Sequence, residues 1–175
     1  AREAPRFERA AAFERLGVQF GERPDGHRLP AFGNLSGSVR ATDRDGTLSL
    51  SGRQATVVLP GWLDEPSIPF DRLSGDATWT WDAQTQVLRV EAPKVDFSNA
   101  DGRGTVSAKW RNGGDGPGIV EVAARLERAE LKRVPRYLPS LLPAYVREWV
   151  AHSVLAGSIE DVQLEIRGDL WHFPY

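Results

Sequence analysis

The chain of 175 residues has no cysteine, no methionine, only three histidines and little net charge. Without cysteine there is no disulfide frame, no thiolate metal site and no cysteine nucleophile. The compartment stays open on that count, because cysteine-free chains occur in cytosol and periplasm alike. A formal charge of −2 excludes a strongly basic footprint, so no nucleic-acid partner is expected. No stretch approaches the ~20 apolar residues of a membrane span, and no signal peptide is visible. With no initiating methionine, Ala1-Arg2-Glu3 reads as the front of a processed protein or of a piece excised from a longer one. Such a piece is expected to be soluble, with any anchor lying outside it. The 17 glycines and 12 prolines make the chain loop-rich, short of the ~25–30% that marks disorder. Its length suits one domain.

Catalytic constellations are equally scarce. His27, His152 and His172 are scattered and form no i, i+4 pair, so surface or packing roles fit them better than metal binding. Asp43-Arg44-Asp45-Gly46 resembles the start of a calcium loop, but the distal glutamate is missing, and a plain turn fits better. Gly33-Asn34-Leu35-Ser36-Gly37 is not a nucleophile elbow, because its serine stands one position too far along between the glycines. Asn34-Leu35-Ser36 matches a glycosylation sequon, which matters only in a eukaryotic secretory chain. No phosphate loop or dinucleotide fingerprint is present. Two carboxylates could meet across a cleft, but nothing singles out a pair. Asp64-Glu65, in a proline-rich loop, reads as solvated. No catalytic residue, metal or cofactor is expected.

What is present is alternation with period two, the mark of half-buried strands. Leu73, Gly75, Ala77, Trp79 and Trp81 share one phase. So do Leu88, Val90 and Ala92; Gly104, Val106, Ala108 and Trp110; Val120, Val122, Ala124 and Leu126; and Val162, Leu164 and Ile166. Strands also fit Leu35–Thr42 and Thr47–Leu59, the latter ending at Pro60-Gly61 before a loop containing Pro66 and Pro69. Turn residues at Asp45-Gly46, Asp82 to Gln86, Asp101-Gly102 and Asn112 to Gly118 separate the runs. Short connections of this kind predict an antiparallel meander. Phe7–Phe20 is ambiguous: its alanine run favours helix, while Leu16, Val18 and Phe20 alternate as a strand. Strand is the preferred reading.

One segment changes period. From Pro143 to Leu155, Tyr145, Val146, Trp149, Val150 and Val154 recur at helical spacing and predict an amphipathic helix with one apolar face. Pro143 suits a first helical position and Gly157 a C-terminal stop. Pro135 and Pro139 set off a turn or a short separate helical piece before it. The helix is too short to span a bilayer and carries Arg147, Glu148 and His152. It is expected either to cover the sheet's apolar face or to pack on its back.

The tryptophans Trp79, Trp81 and Trp110 fall on the apolar phase among alanine, glycine and valine. A closed core under the helix explains this. An open apolar face used as a binding groove explains it as well. A carbohydrate platform is a third reading, although it usually places its aromatics on an exposed face.

Short motifs add a resemblance. They are Arg136-Tyr137-Leu138-Pro139, Leu142-Pro143, Arg147-Glu148-Trp149, Gly157, Asp161-Val162 and Arg167-Gly168-Asp169-Leu170-Trp171-His172-Phe173-Pro174-Tyr175. Upstream lie Leu29-Pro30-Ala31-Phe32-Gly33-Asn34-Leu35-Ser36-Gly37, Leu59-Pro60-Gly61, Glu65-Pro66, Ile68-Pro69 and Asp71-Arg72-Leu73-Ser74-Gly75. In order and spacing these resemble the YhdP branch of the AsmA-like proteins over roughly residues 29–175, with Ala31 where the family usually has glycine.

The resemblance implies a slice of a large Gram-negative envelope protein, anchored in the inner membrane by parts absent here and extending through the periplasm. It implies an elongated, curled β-sheet whose apolar face carries phospholipid toward the outer membrane. The expected fold is therefore mainly β: a curved, mostly antiparallel sheet forming an open groove, with one main amphipathic helix near the C-terminus. Residues 1–175 are taken as one β-rich segment, with a meander over 1–134, a helical insertion over 135–156 and a returning strand over 157–175. Candidate groove walls are Trp79, Trp81, Val106, Ala108, Trp110, Val120, Val122, Ala124 and Leu126. The expected partners are phospholipid acyl chains and neighbouring segments of the same longer chain.

Overall fold

The computed structural model describes residues 8–19, 30–113, 118–140, 142–153 and 157–169. It is an eight-stranded antiparallel sheet in which every strand lies beside its neighbours in sequence. The strands are β1 (Arg9–Gln19), β2 (Ala31–Ala41), β3 (Asp45–Val58), β4 (Ser67–Asp82), β5 (Val87–Ser98), β6 (Gly102–Arg111), β7 (Ile119–Glu130) and β8 (Ser158–Asp169). A 3₁₀ helix, Leu131–Tyr137, and one α-helix, α1 (Ala144–Ser153), lie between β7 and β8. The meander and the strand reading of the first segment are both borne out. β1 and β8 do not pair, so the sheet is open.

Short polar side chains close three of the hairpins. Thr42 Oγ1 accepts the N–H groups of Arg44 at 3.1 Å and Asp45 at 3.0 Å. The reversal expected at Asp45-Gly46 therefore falls earlier, at Asp43-Arg44, and Asp45 and Gly46 open β3. Most of the Asn112 to Gly118 turn lies outside the described residues. Asp82 Oδ1 accepts the N–H groups of Gln84 at 2.9 Å and Thr85 at 3.3 Å. Asn99 Oδ1 does the same for Asp101 at 3.0 Å and Gly102 at 2.9 Å. Short polar side chains satisfy the backbone donors that a reversal exposes.

Strict alternation fails once in each of several strands, and the apolar face survives each failure. Inward residues are three apart rather than two at Gly52/Ala55, Phe70/Leu73, Ala92/Val95, Leu126/Ala129 and Ile159/Val162. In β5 the cause is a bulge at Pro93: Ala92 faces Ala108 and Val95 faces Val106, three residues against two. A proline inside a central strand is tolerated at such a bulge, where no ladder donor is required of it. Asn34 and Arg15 adopt positive φ, at 58° and 47°, at the irregularities between β1 and β2. These bulges bend and twist the sheet.

Pro69, expected in the loop after Pro60-Gly61, lies instead within β4. It pairs with Thr56 of β3, and its carbonyl accepts Asn99 Nδ2 at 3.2 Å. That position is past the final β4–β5 pair, Arg72 with Ser98, so the missing N–H faces no strand. The helical part starts at Leu131, inside the stretch read as the tail of the meander, because the chain turns directly out of β7.

Candidate functional site

The register gathers the apolar residues of all the strands on one face. One row runs Gly46, Trp79, Val90, Trp110, Val120, Gly168. The next carries Ala92, Ala108, Val122 and Ile166. A third runs Gly37, Leu50, Gly75, Val95, Val106, Ala124, Leu164. A fourth runs Gly52, Leu73, Phe97, Gly104, Leu126, Val162. Laterally paired residues share a face, so the nine candidate wall residues lie together. Trp81, beside Leu88 at the end of β4, is the most exposed of them at 37%.

Glycine gives the tryptophans their place. A Cβ on Gly46 would sit 2.0 Å from Trp79 Cζ2, so the indole lies across bare backbone. A Cβ on Gly118 would meet Trp110 Nε1 at 2.6 Å. Rings laid over glycine present their flat faces as part of a continuous carbon surface.

Among the described residues, most of this face has no second layer. Among the described residues the buried apolar side chains are Leu35, Ala55, Ile68 and Ala129, while Leu164 and Ile166 stay 51% and 45% exposed. The strands contact their sheet neighbours extensively, and the helices contact each other and β7. Over its middle rows the face is therefore not a filled core. The opposite face is polar and charged. Glu91, Lys109, Glu121 and Arg167 stand in register on β5 to β8 with alternating sign, an arrangement that favours the native pairing.

At one end the apolar face is capped. The 3₁₀ helix is held over it by a polar hub on the β5–β6 turn. Tyr137 Oη donates to Asp101 Oδ2 at 2.8 Å and accepts from Asn99 Nδ2 at 3.0 Å. Arg136 donates to Asp101 Oδ2 at 3.3 Å and to the Ser67 carbonyl at 2.9 Å, and lies 3.1 Å from Glu65. Arg133 faces the other Asp101 oxygen at 3.5 Å. Burial, followed by the bond to the Asp101 carboxylate, pushes the Tyr137 hydroxyl up to about 12. Asp64 pairs with Arg147 of α1. Asp64 and Glu65, read as simply solvated, thus remain exposed but tie the β3–β4 loop to the helical insertion.

Under this cap lies a carbon-lined cavity of about 270 Å³, open on one side. Phe97, Leu126, Ala129, Val134 and Leu164 form its wall. Sequence reasoning missed Phe97, which stands at 81° to Phe70 across a 6.2 Å ring separation. The bulge at Pro93 shifts its parity, and that proline was the available signal. It also missed the hub: Asp101-Gly102 was read only as a turn, and Arg136-Tyr137 only as a family motif.

The helix departs from expectation. Its apolar residues do not form one buried face: Tyr145 and Trp149 are 73% and 68% exposed, while Val146 and Val150 are half-buried. α1 packs on the 3₁₀ helix, so the side with Val146, Arg147 and Val150 turns inward. Val154 lies outside the described residues, as do His27, His172 and Leu170. His152 is exposed, its Nδ1 2.7 Å from the Glu148 carbonyl. No helix among the described residues is long and apolar enough to cross a membrane.

Neither a curated protein nor a solved structure matches the chain. A family model described as "YhdP protein" matches residues 1–175, the whole length, in agreement with the open β-sheet and the motifs along it. The chain belongs to the YhdP protein family.

Proposed function

We propose that this segment is a non-enzymatic stretch of a lipid conduit in the cell envelope, on whose apolar sheet face phospholipid acyl chains lie. The observation that carries this reading is the unroofed apolar face running through β1 to β8. A chain laid along it gains ~0.8 kcal/mol for each methylene removed from water. The headgroup stays solvated. With valine, alanine, leucine and tryptophan as the surface and few polar anchors, binding tolerates different acyl chains. On this reading the parent protein works in the periplasm, fixed to the inner membrane by parts outside these residues. The free edges of β1 and β8 accept neighbouring segments of the same longer sheet.

The test is to purify the chain and identify phospholipid in its organic extract by mass spectrometry. Ala108→Glu and Val122→Lys lie on half-exposed positions. They are expected to abolish lipid crosslinking with the far-UV circular dichroism unchanged. Absence of lipid, together with unfolding of both variants, overturns the reading. Association through the sheet edges without lipid supports a spacer module instead.

A further inference from the structure

We infer that the cavity beneath the 3₁₀ helix is a built seat for the terminal part of one unbranched acyl chain; this rests on the lipid reading above and gives it a defined site. The cavity measures about 270 Å³. A cavity of about 150 Å³ lined by aliphatic and aromatic side chains accepts benzene, so this one admits roughly ten carbons by the same proportion. Phe97 and Leu126 line it in register on either side of Gly104, where β6 runs so close to β7 that an added Cβ would sit 2.2 Å from the Arg125 carbonyl oxygen. The 3₁₀ helix roofs this wall with Val134 and Tyr137.

The polar groups near the cavity are engaged with one another. Asn99 and Asp101 spend their polar atoms on the turn, on Tyr137 and on the arginines. A polar ligand would therefore find no anchor inside, whereas a hydrocarbon leaves nothing unsatisfied. The mouth is marked by Leu164, 51% exposed, in the same row as Ala124 and Val106. The seat thus opens onto the apolar face, and the chain's remainder and headgroup extend outward along it. The cap acts as a stop that fixes where a chain end rests.

The experiment uses the 175-residue chain and single-chain lysophosphatidylglycerol probes of increasing acyl length. Each carries a diazirine at the chain end, and adducts are mapped by peptide mass spectrometry. The expected adducts fall on Phe97, Leu126 or Val134. Affinity is expected to rise about fourfold per added methylene and to level off once the chain exceeds the seat. Leu164→Trp, at the exposed mouth, and Val134→Trp, in the roof, are expected to move the adducts to Ala108 and Val122 with circular dichroism unchanged. Adducts confined to Ala108 and Val122 in the unaltered chain, or in the cavity with no levelling, overturn the seat and leave the lipid-bearing face standing. No competable adduct anywhere overturns both.

Discussion

Tyr137 Oη donates a 2.8 Å hydrogen bond to Asp101 Oδ2, joining the 3₁₀ helix to the turn between β5 and β6. Asp101 is 8% exposed, and its carboxylate is held by that phenol and two arginines. Closure of one end of the sheet depends on this contact. Tyr137→Phe removes the phenol and leaves both Asp101 and Asn99 short of a partner. It is expected to cost about 1–3 kcal/mol, measured by urea denaturation.

Alkaline titration reads the same bond. The Tyr137 hydroxyl is raised to about 12, above the ~10 of a free tyrosine. A raised folded value means that the stability it contributes is fully present below about pH 10 and is lost as pH rises toward 12. The unaltered chain should lose stability across that window more steeply than Tyr137→Phe. Denaturation midpoints at successive pH values check this.

Asp82 gives the opposite sign. The Thr85 hydroxyl, followed by the N–H groups of Gln84 and Thr85, holds its carboxyl below the ordinary aspartate value. The stabilisation of the β4–β5 hairpin is therefore present above about pH 4 and lost as pH falls through the depressed folded value. Carboxyl-detected NMR titration should show Asp82 ionising below the usual range, and Thr85→Val should move it upward.

Stability should be concentrated at the capped end. Ile68 is 6% exposed and Ile166 is 45% exposed. Ile68→Ala is expected to cost about 2–5 kcal/mol, because a covered methyl group leaves a cavity. Ile166→Ala should stay near or below about 1 kcal/mol. Equal losses in chemical denaturation would contradict an unroofed middle face.

Gly46→Ala tests the seat of Trp79. The added methyl would come 2.0 Å from Trp79 Cζ2 and must displace the ring or part the strands. A loss of about 1–3 kcal/mol is expected, with a changed near-UV circular dichroism spectrum. Retention of both signals would mean that the indole does not lie over Gly46.

Much of the sheet was legible in the sequence because period two and turn chemistry are local properties. The run from Leu73 to Trp81 and the Asp82 to Gln86 turn define a strand and its reversal before any contact is known. Pro69 and Phe97 were harder. A proline reads as a loop unless the strand that would need its N–H is known to have ended, and Phe97 keeps the inner face only because of the bulge at Pro93. The helix stripe misled for a related reason: Tyr145 and Trp149 have apolar periodicity, but packing depends on a partner that local spacing does not specify.

The sequence alone determined which side chains share the apolar face within each unbroken run, since alternation and turn residues act over a few neighbouring positions; beyond a bulge, as at Phe97, the strand pairing set the phase. Tertiary structure decided how much of that face is covered. The cover rests on bonds between distant residues, Tyr137 with Asn99 and Asp101, and Arg136 with Ser67. Hydrogen bonds of that kind require the strands to be in register before donor and acceptor meet, so no local pattern announces them.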